Sequence, residues 1–115
     1  HDADAKHAPF ASTEAGISAL ETLLPLSLRL SQQTSMKTDD VINRITAAPA
    51  NILGINAGSL SVGENADICI FDMNEDWQLT NESINSNGRN TPFLGWNFQG
   101  KVKHTIVNGR LLYSD

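Results

Sequence analysis

The sequence has little of what disulfide-linked, nucleic-acid-binding or membrane-spanning proteins need. Cys69 is the single cysteine, so an intrachain disulfide and a CxxC metal site are both excluded. The eight Lys and Arg residues are scattered and the formal net charge is -5, so the chain has no electrostatic attraction to nucleic acid or anionic lipid. No apolar run is long enough to span a membrane.

The beginning of the chain also lacks a targeting pattern. It opens on His-Asp-Ala-Asp, whereas a signal peptide has a basic segment followed by an apolar one. We therefore expect a cytoplasmic protein with no nucleic-acid or membrane partner. Because no methionine stands first, we also expect this chain to be a piece of a longer polypeptide. Cys69 lies in the apolar run 66–71, where we interpret it as a small core residue.

The first half of the chain has the pattern of helices. Apolar residues recur at helical spacing before and after Pro25, which lacks a backbone donor and predicts a kink or a break. Thr38 is placed to cap the N-terminus of a second helix, and Gly54 is placed to end a third. The predicted helices cover residues 17–31, 39–47 and 49–53.

The second half changes to the alternating pattern of strands. Residues 66–72 predict a strand buried on both faces, and Asn108-Gly109 predicts a tight hairpin turn because both residues tolerate positive φ. Residues 77–79 are compatible with a further short strand. Residues 80–99 are rich in Asn, Ser and Gly and predict a long surface loop. The predicted strands cover residues 66–72, 101–107 and 110–113.

So few strands leave unpaired edges and uncovered faces. We therefore expect the chain to associate with the rest of its own polypeptide or with a second copy of itself.

Polar residues that could carry chemistry are sparse. His1, Asp2, Asp4 and His7 form a cluster that could ligate a metal, although a solvated terminal loop is the more common interpretation. His104 lies within a predicted strand, which favours a structural role.

Three carboxylates have ordinary structural interpretations. Glu21 on the first helix is expected to face solvent or to pair with a base. Asp67 and Asp72 bound a strand, where carboxylates commonly accept hydrogen bonds from turn backbone.

The N-terminal part resembles the segment that follows the last barrel strand of dihydroorotases. His1, Lys6, Phe10 and Gly16 stand at the spacings of that family's motif, and the sequence continues Ala19-Leu-Glu-Thr-Leu-Leu-Pro-Leu26, which is similar to the family's helix, including its internal proline.

The second half resembles the C-terminal composite domain of amidohydrolases. Its similar segments, in order, are Ala48-Pro-Ala-Asn-Ile-Leu-Gly54, Gly63-Glu-Asn-Ala-Asp67 with Ile70-Phe-Asp72, Asn90-Thr-Pro-Phe-Leu-Gly95 and Thr105-Ile-Val-Asn-Gly-Arg110.

The resemblance implies an α+β fragment in two parts. Residues 1–54 are expected to be the helical C-terminal end of a (β/α)₈ barrel, and residues 55–115 the C-terminal part of the β-sandwich domain, a small sheet. It further implies a zinc enzyme that hydrolyses the cyclic amide of dihydroorotate, with its metal ligands and its proton-shuttling aspartate outside this chain.

The site residues that the resemblance assigns here bind substrate and are neither catalytic nor metal ligands. His1 matches the histidine that binds the substrate carboxylate, and Ala15 and Gly16 match the loop whose backbone contacts the pyrimidine. The chain alone is therefore expected to be inactive and to bind no zinc.

Thr13-Glu14 departs from the pattern of the active enzymes, which have Ala-Pro there. The variant resembles dihydroorotase-like proteins that lack zinc ligands and support aspartate carbamoyltransferase structurally. This non-catalytic role is the alternative.

Overall fold

The structure is a computed structural model that describes residues 3–115. Short 3₁₀ turns at Ala3–Lys6, Phe10–Ser12 and Leu20–Thr22 precede three helices and three strands. Helices come first and strands second, as predicted. The helices are α1 Leu23–Gln33, α2 Thr38–Ile45 and α3 Ala47–Leu53, and the strands are β1 Ile68–Gln78, β2 Asn97–Val107 and β3 Arg110–Ser114.

Helix α1 runs through Pro25, so the break into two helices predicted there is wrong, while the kink stays a prediction. The helix begins at Leu23, with Thr22 as its N-cap, rather than at residue 17. Pro25 is therefore the third residue of the helix. The first four backbone N–H groups of a helix have no intrahelical partner, so a proline costs no hydrogen bond at this position.

The ends of α2 and α3 are partly as predicted. Thr38 lies inside α2 and makes no capping hydrogen bond, since its hydroxyl donates to Ser31 Oγ at 3.4 Å and Lys37 occupies the N-cap position. Gly54 ends α3 in the left-handed conformation, with φ 66°, and its N–H donates to the carbonyls of the last turn. The glycine C-cap is confirmed.

The three strands form one antiparallel sheet in the order β1-β2-β3. The predicted hairpin turn is confirmed, because Asn108 and Gly109 both have positive φ, 49° and 74°. Strand β1 extends through Trp77 and Gln78, so these residues are the end of a longer strand and not a separate one, and Leu79 follows the strand. Two register shifts between β1 and β2 accommodate that length.

The burial predicted for β1 is wrong on both faces. Most of its residues are exposed, including Ile70 at 46%. Cys69 is also exposed, which contradicts its interpretation as a core residue. Helix α1 packs against β2, whereas an open cleft lies between the helices and residues 68–71 of β1.

The core lies at the other end of the sheet. Leu79, Ile84 and Phe98 are almost fully buried, with Leu26, Trp77 and Phe93 packed against them. The surface loop predicted over 80–99 therefore contributes to the core, and its last residues belong to β2. Leu79 exchanges backbone hydrogen bonds with Gly95 and Trp96 at 2.8 and 3.0 Å, which brings the two ends of the loop together.

The fold exposes more surface than a compact protein of its size. Its accessible surface is 8256 Å², whereas a compact monomer of this mass exposes about 6,200 Å². Its radius of gyration is 16.3 Å, against about 13 Å expected for this length. The excess, about 2,000 Å², is comparable to the area of a stable protein interface. Within residues 3–115, no helix is long and apolar enough to cross a membrane.

Candidate functional site

The predicted substrate-binding residues Ala15 and Gly16 lie in an exposed segment before α1. We call residues 13–18 the glycine loop. Gly16 has φ 96°, a left-handed conformation that any side chain would strain. Both residues are exposed, so their backbone groups can be reached by a small molecule.

The N-terminal side of the glycine loop is held by two side chains. The Thr13 hydroxyl donates to the carbonyls of Ala8 and Pro9, at 2.8 and 3.1 Å. The Lys6 ammonium donates to the Glu14 carbonyl. These bonds fold the loop back on the preceding 3₁₀ turns, while the Glu14 side chain remains exposed.

Asn90 holds the other side of the glycine loop from a distant part of the sequence. Its side-chain amide donates to the Gly16 carbonyl at 3.2 Å, and its own carbonyl accepts from the Ser18 N–H at 2.7 Å. Gly16 is therefore bonded on one side to a residue more than seventy positions away. We call residues 80–95, which carry Asn90, the clasp loop.

Glu21 makes the second attachment between these segments. Its carboxylate accepts hydrogen bonds from the backbone N–H groups of Asn85 and Ser86, at 3.0 and 2.7 Å. The expectation that Glu21 faces solvent or pairs with a base is therefore wrong. A carboxylate that accepts two backbone N–H groups makes charge-assisted hydrogen bonds, which are stronger than neutral ones.

A close approach completes this contact. A Cβ atom built on Gly88 would lie 2.7 Å from Ser18 Oγ, so a side chain at this position would require the Ser18 hydroxyl to move. Sequence reasoning missed the contact because the residues are far apart in sequence. The available signals were Glu21 inside an otherwise apolar stripe and Asn90 within a family-like segment.

Other predicted site residues are not brought to the glycine loop by any observed contact. His1 and Asp2 lie outside the described residues, so the substrate role of His1 and the four-residue metal cluster stay predictions. Asp4 and His7 are exposed. Within residues 3–115, no three His, Cys, Asp or Glu side chains are grouped closely enough to hold a metal ion.

The role predicted for Asp67 is confirmed, because it directly precedes β1 and accepts from the N–H of the turn residue Asn108 at 2.7 Å. Asp72 also accepts a backbone hydrogen bond, from the Asn74 N–H at 2.8 Å. It does not bound a strand, however, since it lies inside β1 where the register with β2 shifts. His104 lies in the middle of β2, between Ile70 of β1 and Ser114 of β3.

A charged cluster that the sequence did not predict joins β1, β2 and the end of the chain. Lys101 and Lys103 both lie within 4 Å of carboxylate oxygens of Glu75 and Asp115. Hydrogen bonds from Lys101 and then Lys103 lower the pKa of Asp115 to about 2. Hydrogen bonds from Asp115 and then Glu75 raise the pKa of Lys103.

An apolar cleft of about 490 Å³ opens between the helices and β1. Cys69 lies on its wall, and partial burial raises the pKa of its thiol. Apolar side chains dominate the lining, which includes Leu20, Leu23, Leu24, Ile42, Ile45, Leu60, Ile68 and Phe71.

Comparison with known sequences places the chain within a family. The sequence pattern of the amidohydrolase family matches residues 4–112. A dihydroorotase-like protein of Pseudomonas aeruginosa is 43% identical over 113 residues, which are 98% of this chain and 26% of that protein. A dihydroorotase of Syntrophotalea carbinolica is 40% identical, over 98% of this chain and 27% of its own. The chain thus spans about a quarter of the length of these relatives.

Solved structures agree on the fold. The D-hydantoinase (dihydropyrimidinase) from Thermus sp. matches all of this chain and 26% of its own, with a TM-score of 0.87 and 19% identity. The L-hydantoinase (dihydropyrimidinase) from Arthrobacter aurescens matches 90% of this chain and 24% of its own, with a TM-score of 0.80 and 25% identity. The predicted α+β fragment of an amidohydrolase is confirmed, and the chain belongs to the amidohydrolase family.

Proposed function

We propose that this chain is the C-terminal portion of a dihydroorotase, the cytoplasmic enzyme that interconverts dihydroorotate and N-carbamoyl-aspartate in pyrimidine biosynthesis. The observation that carries the proposal is the similarity to proteins named dihydroorotase. They match 98% of the chain at 35 to 40% identity, with the helical and the strand halves in one alignment.

The contribution of this chain to the reaction is to bind and orient substrate. The exposed backbone at Ala15 and Gly16 offers N–H and C=O groups to the amide groups of a cyclic pyrimidine, and the absence of a side chain at Gly16 permits close approach. In this proposal His1 donates a hydrogen bond to the substrate carboxylate. Orienting groups of this kind lower the barrier by holding the reacting amide in place.

Residues 3–115 do not fit a zinc site, because no suitable group of ligands is present among them. We therefore assign no step of the reaction to a metal held by these residues. Zinc, in this proposal, binds the barrel portion of the longer polypeptide, and the chain alone is inactive. The excess surface of about 2,000 Å² supports the rest of that polypeptide as the principal partner.

A second function is favoured by Thr13-Glu14 and by the relatives named dihydroorotase-like, of 43% and 39% identity. Glu14 is exposed beside the predicted substrate loop, where a carboxylate would repel an anionic substrate. In this alternative the longer polypeptide is a non-catalytic subunit that supports aspartate carbamoyltransferase.

One experiment distinguishes the two functions. The polypeptide is expressed at the full length of its relatives and assayed for dihydroorotate hydrolysis and for bound zinc, with this chain alone as the control. The proposal requires turnover and zinc in the long form and neither in the short one. A folded long form with no zinc and no turnover, which co-purifies with co-expressed aspartate carbamoyltransferase, would support the scaffold instead.

A further inference from the structure

The conformation of the glycine loop depends on hydrogen bonds to a segment that is distant in sequence as well as on bonds to its sequence neighbours. On its N-terminal side it is bonded to the turns at residues 6–9, but Gly16 and Ser18 are bonded to Asn90. The conformation at Gly16 is strained for any other residue and is exposed to solvent. Its geometry therefore depends on where the clasp loop places Asn90.

The clasp loop is in turn anchored at both ends and at its middle. Its base is closed by the hydrogen bonds between Leu79 and residues 95–96, and Ile84 is buried in the core beside it. The middle of the clasp loop is bonded to Glu21, which directly precedes α1. Among the described residues, Glu21 is the one residue whose side-chain carboxylate accepts from this part of the loop, and its partners are the N–H groups of residues 85 and 86. Gly88 also lies close to the Ser18 side chain, which brings this part of the clasp loop against the glycine loop.

We propose that Glu21 and Asn90 are positioning residues for substrate binding, which act through the clasp loop on the backbone of Gly16. The inference rests on the proposed function. Glu21 fixes the clasp loop, Asn90 transmits that position to the Gly16 carbonyl and the Ser18 N–H, and the exposed glycine backbone meets the cyclic amide. Neither side chain needs to touch substrate for this role.

The role predicts a specific kinetic pattern. Glu21→Gln keeps the shape of the side chain but turns one carboxylate oxygen into an NH₂ group, which faces a backbone N–H instead of accepting from it. One charge-assisted hydrogen bond between Glu21 and the clasp loop is then lost at a partly exposed site, so the clasp loop is held less firmly. We expect substrate binding to weaken roughly five- to tenfold as a result. Because backbone contacts of this kind bind substrate and transition state alike, KM rises and kcat stays within about twofold.

The test uses the full-length polypeptide and two readouts. Steady-state kinetics with dihydroorotate give KM and kcat. Hydrogen exchange followed by mass spectrometry on a peptide that covers residues 13–20 reports the Ser18 N–H. Asn90→Ala is the second variant, since it leaves the Glu21 bonds in place. Glu82→Gln is the matched control, because it is the same substitution in the same loop on an exposed side chain whose hydrogen bond comes from Thr80.

We expect Glu21→Gln and Asn90→Ala each to raise KM and to speed exchange in residues 13–20, and Glu82→Gln to change neither. A fall in kcat or in the folded fraction with KM unchanged would overturn the proposal, because Glu21 would then only stabilise the fold. Unchanged exchange in residues 13–20 would overturn it as well. If the wild type shows no turnover, the proposed function fails, and the exchange readout still decides whether Glu21 and Asn90 position the glycine loop.

Discussion

Replacement of Gly100 with alanine tests the packing of α1 on the sheet. Gly100 lies in β2 with φ 96°, and its carbonyl accepts from Trp77 Nε1 at 2.9 Å. An added Cβ would lie 2.4 Å from Leu28 Cδ1. Leu28 is 3% exposed, so its side chain has little room to move away.

Two costs add in this variant. A non-glycine residue in the left-handed region costs about 1–2 kcal/mol, and overpacking a buried site costs about 1–3 kcal/mol. We expect Gly100→Ala to lower the free energy of unfolding by about 2–5 kcal/mol. Gly109→Ala is the matched control, because φ is 74° there and an added Cβ meets nothing within 4 Å. It carries the backbone cost alone.

The assay is urea unfolding followed by tryptophan fluorescence at one fixed protein concentration, since any association adds a concentration-dependent stability. A double-mutant cycle with Leu28→Ala isolates the clash. In the Leu28→Ala background, Gly100→Ala should cost no more than Gly109→Ala. The reasoning is refuted if Gly100→Ala and Gly109→Ala destabilise equally, or if the cost of Gly100→Ala is the same with and without Leu28.

Three further predictions follow from the charged cluster, the apolar cleft and the excess surface. Because the pKa of Asp115 is lowered to about 2 from an ordinary 3.8, its contribution to stability is present above pH 3.8 and is lost as the pH falls through 2. Asp115→Asn should therefore flatten the pH dependence of the free energy of unfolding between these values, and an unchanged profile would contradict the ion pairs. The exposed Cys69 thiol of this chain should react with a thiol reagent, but slowly, because its pKa is raised. The reaction should be slower still in the full-length polypeptide, where we expect further chain to cover the cleft, and equal rates in the two forms would show that the cleft stays open. The isolated chain should self-associate in sedimentation velocity as its concentration rises, and a concentration-independent monomer would count against the need for a partner.

The elements set by local chemistry could be predicted from the sequence. Gly54 ends its helix and Asn108-Gly109 turns its hairpin because both depend on backbone conformations that few residues adopt. Asp67 accepts a backbone hydrogen bond just before β1 for a similar reason, because a short carboxylate readily bonds to turn N–H groups.

The elements set by tertiary context could not be predicted. Pro25 looks like a helix breaker until the start of α1 is known, and then it falls where no donor is needed. Cys69 lies in an apolar run that predicts burial, yet in residues 3–115 it lies on the wall of an open cleft and is exposed. The contacts from Glu21 to residues 85 and 86 depend on the course of a loop whose composition alone indicates solvent.

We propose that this chain supplies substrate-orienting backbone to a dihydroorotase whose metal and proton shuttle lie elsewhere in the polypeptide. The most direct measurement is dihydroorotate hydrolysis by the full-length polypeptide and by residues 1–115 alone, at equal molar concentration. We predict turnover by the full-length form and none above the blank by the isolated chain. Turnover by residues 1–115 alone, or a folded full-length form with none, would contradict it.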